Sequence, residues 1–264
     1  MEIRYVVSTM VFWWRETRVS LDSECQLLRS LSYGVELWPN LKGHHECRFE
    51  KRNWEKLAET TDGMLVTMRS RHDSPGIKEW TDQIECAKLL KAPIVASLSD
   101  LGIQKGIREG NCRLAEDIIT AAQDSGVRIC LETGPLQLVK EAGERFDYLD
   151  YCLDTGYANI DPDYSFQEYV DELAPGISYL HLADNYGEID DHEPPGVRGG
   201  IAKENWDYLL KALQKHNCSC IGSLEMSPWT PQTMIKNAGK FLFDVMGWPG
   251  GPETAEAEKE FAVR

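Results

Sequence analysis

The chain has 264 residues, 42% of them hydrophobic, and no apolar run approaches the ~20 residues of a membrane span. Its formal charge of -15 opposes a broad phosphate-binding face, which counts against a nucleic-acid binder. The opening Met-Glu-Ile-Arg-Tyr-Val-Val lacks the layout of a signal peptide, so a cytoplasmic protein is expected. The eight cysteines include no Cys-x-x-Cys pair, which favours buried thiols over a disulfide framework.

Strand and helix signals alternate eight times. A strand over 3–9 runs into the aromatic loop Val11-Phe-Trp-Trp14, and a helix follows over 22–31. The second strand, 34–38, stops at Pro39 and Asn40, with a helix near 53–60. The third, 63–68, ends in Arg69-Ser-Arg-His72, and residues 76–90 carry apolar positions at helical spacing (Ile77, Trp80, Ile84, Ala87). The fourth strand, 93–98, ends in Ser99 and Asp100, with a helix over 114–123 stopped by Gly126. Strand five, 127–131, leads to Glu132-Thr-Gly-Pro and a helix from 135 to about 142. Strand six is 148–153. Its helix, 165–173, has Ser165 as cap and Pro175-Gly176 as stop. Strand seven is 177–182, followed by a long loop over 185–201 and a helix over 205–216. Strand eight is 219–224 and its helix 231–245. Residues 1–248 read as one domain, with an Ala/Glu-rich tail over 249–264.

Eight strand–helix units without an interior linker predict a parallel sheet closed into a (β/α)8 TIM barrel. An open doubly wound sheet usually has a Gly-rich first turn, whereas the first turn here is Trp-rich. Barrel enzymes place their chemistry at the C-terminal ends of the strands. Four successive strands deliver ligand-type residues there: Glu132, Asp154, His181 with Asp184, and Glu225. A carboxylate closing a buried strand is costly without a cation beside it.

The motifs Leu131-Glu-Thr-Gly, Leu153-Asp-Thr-Gly, His181-Leu-Ala-Asp-Asn, Asp190-Asp-His-Glu-Pro-Pro-Gly and Leu224-Glu-Met resemble those of the xylose-isomerase-like TIM barrel superfamily. That group includes sugar isomerases and epimerases, inosose-processing enzymes and endonuclease IV. The resemblance implies one divalent metal ion held by Glu132, Asp154, His181 and Glu225, with Glu132 and Glu225 as the catalytic acid and base. Mixed carboxylate and imidazole ligands suit Mn, Mg, Co or Zn. A metal bound by neighbouring substrate oxygens polarises a carbonyl and stabilises an enediolate, while a glutamate moves the adjacent proton.

The chain also departs from its relatives. Tyr157 stands where many have a histidine. Leu138 and Gly187 stand where ketose 3-epimerases carry a glutamate and an arginine. Strand four offers no histidine for a three-zinc cluster.

Each candidate also has a plainer structural role. Glu132 and Glu225 could cap the following helices, and His181 could be a core histidine. Asp184 is expected to orient His181 or a bound water. His192 is expected to face the substrate, and Tyr157 to offer it a hydroxyl. Trp13, Trp14 and Trp38 are candidates for stacking on a sugar. Arg69 and Arg198 (with Arg71) could anchor a carboxylate or phosphate. Trp54, Trp80 and Trp206 fall at helical positions and read as packing.

The expected function is a metal-dependent isomerase or epimerase of a carbohydrate-like small molecule, with neither nucleic acid nor membrane as partner and with a homo-oligomer left open. The rivals are a dehydratase or lyase on the same scaffold, an endonuclease IV-like repair nuclease, and a binding protein that lost catalysis.

Overall fold

The computed structural model describes residues 1–12, 20–39, 48–71, 76–97 and 101–250. Trp13, Trp14, His72, Ser99 and Asp100 lie outside the described residues, as does the tail from 251. Eight short, mostly buried runs form the strands: β1 (Glu2–Ser8), β2 (Gly34–Leu37), β3 (Val66–Arg69), β4 (Ile94–Ser97), β5 (Arg128–Glu132), β6 (Leu149–Asp154), β7 (Ile177–Leu182) and β8 (Ser219–Leu224). Every neighbouring pair is parallel, and β8 pairs with β1 as well as β7, so the sheet closes in strand order 1 to 8.

The covering helices follow the expected units: α1 (Leu21–Ser30), α2 (Trp54–Thr61), α3 (Ile77–Leu89), α4 (Ile103–Glu109), α5 (Arg113–Ser125), α6 (Leu136–Arg145), α7 (Thr155–Ile160), α8 (Phe166–Leu173), α9 (Lys203–Lys215) and α10 (Thr233–Lys240). Two of these were not expected. Helix α4 has seven residues, carries a glycine inside and is flanked by left-handed Gly102 and Gly110. Helix α7 has six residues. Neither is long enough to show a 3.6-residue apolar rhythm. Strand β3 starts later than expected because Gly63, at φ +73°, still belongs to the preceding turn. The last helix changes to a π-helix over Phe241–Val245. The Ser165 cap is a full capping box with Glu168, which fixes where α8 begins.

The core lies mainly between sheet and helices. Trp80 of α3 and Trp206 of α9 are fully buried there. Trp54 is only partly buried and donates its indole N–H to the Phe49 carbonyl at 2.7 Å. Seven of the cysteines are described, and all are buried free thiols.

The barrel interior is narrower and layered. Side chains alternate along a strand, so residues two apart share the inward face. Val6, Ile94, Ala96, Cys130, Cys152, Tyr179 and Ile221 form an apolar interior cluster. Two residues further along their strands, the same face carries Glu132 after Cys130, Asp154 after Cys152, and His181 after Tyr179. Ile221 is followed on that face by Ser223 and Glu225. The strand period alone therefore lifts the polar set above an apolar floor, at the C-terminal mouth.

Candidate active site

The register brings the four expected ligands together. Asp154 lies opposite His181 across β6 and β7. His181 lies opposite Ser223 across β7 and β8. Glu132, Asp154, His181 and Glu225 each offer a donor atom within 4.8 Å of the others. Among the described residues they form the one such cluster of His, Cys, Asp and Glu.

The orientation of His181 is set from both sides. Its Nε2 lies 3.0 Å from Glu36 Oε1. Its Nδ1 faces Glu132 Oε1 at 2.8 Å and Glu225 Oε2 at 3.3 Å. Arg69 Nη1 approaches the same Nδ1 at 2.8 Å. Burial and Arg69 oppose an imidazolium, while Cys152, Glu225 and Glu36 favour it, and the balance raises the affinity for a proton. Arg69 Nη1 is also 3.2 Å from Nε2, so it lies against the ring face and not along either in-plane lone pair. Nδ1 faces the Glu132 carboxylate and Nε2 the Glu36 carboxylate, and because a carboxylate only accepts, both ring nitrogens are placed to donate.

Glu36 was not singled out from the sequence. It is fully buried and also accepts from the Tyr179 hydroxyl (2.9 Å) and the Ser223 hydroxyl (3.1 Å). Thr67 joins this chain through the Tyr179 hydroxyl at 2.6 Å. Burial alone would raise the Glu36 carboxyl, but His181, Arg69 and Tyr179 hold it below the usual carboxylate range. The available signal was a charge inside Gly34-Val-Glu-Leu, because a parallel strand buried on both faces rarely carries one.

The two candidate catalytic glutamates differ. Glu132 is partly exposed at the mouth and is held down to about 2, because Arg69 and His181 outweigh the effect of burial. Glu225 is fully buried, and burial pushes it up to about 7 against Arg69 and His181. Neither of its side-chain oxygens has a hydrogen-bond partner. Arg69 Nη2 is 3.4 Å from Glu225 Oε1. A buried carboxylate without hydrogen-bond donors is costly, and a coordinated cation would relieve that cost. The donor set therefore fits a divalent ion, with Glu132, Asp154, His181 Nδ1 and Glu225 as the residues that would hold it.

The remaining expected residues divide between the site and its surroundings. Asp154 caps α7 by accepting from the Tyr157 amide at 3.0 Å. The Tyr157 ring stands edge-on to Tyr169 with centroids 6.2 Å apart. Trp38 presents its ring to the Arg69 guanidinium, 5.3 Å from Cζ to the ring centroid. His192, at φ +51°, sits beside the Glu225 backbone, with Nδ1 3.3 Å from the carbonyl oxygen and Nε2 3.3 Å from Asp190 Oδ2. Burial and the nearby Asp154 push Asp190 up to about 6. Burial lowers His192, but Glu225, Asp154 and Asp190 raise it overall.

Asp184 does not hold His181. Its carboxylate accepts the amides of Asn185 (2.9 Å), Gly196 (2.9 Å) and Ile201 (2.6 Å), and so braces the long loop after β7. A Cβ at Gly200 would come within 2.2 Å of Asp184 Oδ1, so the brace requires a glycine there. Gly156 of the Asp-Thr-Gly motif is similar: a Cβ would lie 2.8 Å from Asp190 Oδ1 and 3.3 Å from Asp154 Oδ1. Arg198 is exposed on the same loop. Arg71 lies just beyond β3 and donates its amide to Gln83 Oε1 at 2.7 Å.

Three kinds of comparison bear on the chain. A family model described as xylose isomerase-like TIM barrel matches residues 63–244. A comparison with curated proteins finds no match. Among solved structures, a D-tagatose 3-epimerase-like protein is similar at TM-score 0.72 and 20% identity, covering 92% of this chain and 98% of that one. D-psicose 3-epimerase from Clostridium cellulolyticum, solved with D-tagatose, is similar at TM-score 0.65 and 15% identity, covering 92% and 98%. A Thermus thermophilus protein soaked with zinc chloride is similar at TM-score 0.62 and 16% identity, covering 92% and 99%. At these identities the likeness is one of fold.

Proposed function

The chain belongs to the xylose isomerase-like TIM barrel family, and from that premise we propose that it is a divalent-metal-dependent isomerase or epimerase of a sugar, or of a related polyol or keto compound. One observation carries the reading. Glu132, Asp154, His181 and Glu225 bring donor atoms within 4.8 Å of one another above the apolar floor of the barrel. The similarity of fold to a tagatose 3-epimerase-like protein and to a psicose 3-epimerase supports a carbohydrate substrate.

A divalent ion in this cluster would act as a Lewis acid, polarising a substrate carbonyl and steadying negative charge on its oxygen. The chain supplies the rest. Glu132, partly open to the mouth, is placed to take a proton from the carbon beside the carbonyl, and Glu225 to return one. Glu36 engages His181 Nε2, which would leave the Nδ1 lone pair for the cluster once an ion takes the place of the proton there. Tyr157 and His192 stand near Asp154 and Glu225, where they would meet substrate hydroxyls. Trp38 adds an aromatic face at the mouth.

Solvent exchange tests this reading. The protein is loaded with Mn2+ and incubated in D2O with a panel of ketohexoses and related keto-polyols. Deuterium should appear at the carbon next to the carbonyl of the accepted substrate, and Glu132→Gln and Glu225→Gln should each abolish it. Exchange unchanged in both variants would overturn the acid–base assignment. Loss of a leaving group in place of simple exchange would favour a dehydratase or lyase.

A further inference from the structure

Three of the four candidate ligands already face a cation that belongs to the chain. Arg69 Nη1 lies 2.5 Å from Glu132 Oε1 and 2.8 Å from His181 Nδ1, and Nη2 lies 3.4 Å from Glu225 Oε1. Arg69 is itself buried, with 4% of its surface exposed. It comes from the end of β3, on the inward face two residues after Thr67, so the strand period aims it into the same mouth.

Space makes this contact exclusive. One guanidinium nitrogen sits within 3.2 Å of Glu132 Oε1 and of both His181 ring nitrogens, so an ion bonded to Glu132 and His181 Nδ1 would fall within the volume that Arg69 occupies. Charge points the same way, because a guanidinium and a divalent ion sharing buried oxygens repel at close range. We infer that Arg69 is a built-in competitor of the divalent ion: guanidinium and ion take the same donor atoms, and loading requires Arg69 to give up His181 Nδ1. The Trp38 ring, 5.3 Å from Arg69 Cζ, offers the guanidinium a second attraction that uses none of the ligand atoms. The affinity for metal is then set by an exchange of two cations, and the inference rests on the metal-site reading proposed above.

The test is titration calorimetry with Mn2+ on the full chain after chelator treatment and dialysis, comparing wild type with Arg69→Met and Arg69→Lys. Arg69→Met should bind Mn2+ roughly tenfold or more tightly, within the usual range of coupling between sites. Arg69→Lys keeps the charge without the fork that reaches several acceptors, and should fall between the two. Thermal unfolding without added metal gives a second readout. Arg69→Met leaves Glu36, Glu132 and Glu225 without their guanidinium, so its midpoint should fall, and Mn2+ should raise it by more than it raises wild type. If Arg69→Met does not fold without metal, Arg69→Lys against wild type carries the comparison. Equal or weaker Mn2+ binding in the variants would overturn the competition and leave the metal site standing. No Mn2+ binding by any of the three proteins would overturn the metal-site reading, and the competition with it.

Discussion

The two halves of the barrel contribute opposite things to the mouth. The half from β5 to β8 supplies the donors: Glu132, Asp154, His181 and Glu225, each at or just past a strand end. The half from β1 to β4 supplies, among the described residues, groups that hold those donors in place. Glu36 takes Nε2 of His181, Thr67 anchors Tyr179, and Arg69 faces Glu132, His181 and Glu225. A ligand set on one side of a barrel thus depends on the other side for its charge state and orientation. The donor atoms and the groups that orient them come from opposite halves of the barrel.

The largest loss of stability expected within the donor half belongs to a residue that is not a donor. Asp184→Ala would leave the buried amides of Asn185 and Ile201, and that of the exposed Gly196, without their carboxylate, at about 1–3 kcal/mol for each of the two buried ones. We expect a total loss of about 3 kcal/mol in urea unfolding, with Mn2+ affinity near that of wild type. A large loss of metal affinity at unchanged stability would put Asp184 in the site after all.

Glu36→Gln tests the opposite half. Losing the charge behind His181 Nε2 should weaken Mn2+ binding about tenfold, at the low end of what such supporting carboxylates contribute. Calorimetry reads this directly. An unchanged affinity would reduce Glu36 to a satisfied core carboxylate and blur the division between the halves.

The smallest effect concerns the edge of the donor half. Asp161, just after α7, accepts from the amides of Asp163 (2.7 Å) and Tyr164 (3.1 Å) and from the Tyr169 hydroxyl (2.6 Å). Burial pushes its carboxyl up, but these bonds outweigh it and hold the group below its ordinary value. A depressed folded-state value means that the stabilisation is present above the unfolded value of about 3.9 and is lost as pH falls through the folded one. Asp161→Ala should therefore cost about 1 kcal/mol at neutral pH. The difference from wild type should shrink below about pH 4. Urea unfolding at the two ends of that range checks it, and a difference that persisted in acid would show that the neutral carboxyl serves equally well.

The same contrast explains what could be read in advance. The donor half was legible because Leu131-Glu-Thr-Gly, Leu153-Asp-Thr-Gly and Leu224-Glu-Met place a carboxylate at the end of an apolar run, where position and cost both mark it. Strands β7 and β8 were read with their observed bounds. Glu36 was hidden because Gly34-Val-Glu-Leu reads as a strand whichever way the glutamate points, and only the closed register of the barrel decides that it faces His181. Arg69 was one of three candidate anchors for a carboxylate or phosphate, with a place on the surface as the alternative; it is buried, and the carboxylates beside it are the chain's own glutamates. Such pairings link residues 63 to 187 positions apart, beyond the reach of any local pattern. The brace by Asp184 depends on the fold of its loop, which nothing in its neighbours' identities announces.

Closure of the barrel also dictates when the site can exist during folding. Strand β1 pairs along Glu2–Val7 with Ser219–Leu224, so the first strand of the chain waits for the last. Glu36 meets Ser223 across 187 residues and His181 across 145. Contacts of such separation form slowly, because the entropy of closing so long a loop must be overcome before the contact stabilises anything. Until β8 docks, β1 and β7 both remain open edges, and Glu225 is still in water, where its charge is harmless. The docking that seals those edges is the same step that buries Glu225 beside Glu36 and Arg69. The arrangement of Glu225, Glu36 and Arg69 is thus complete only in the closed ring that holds it.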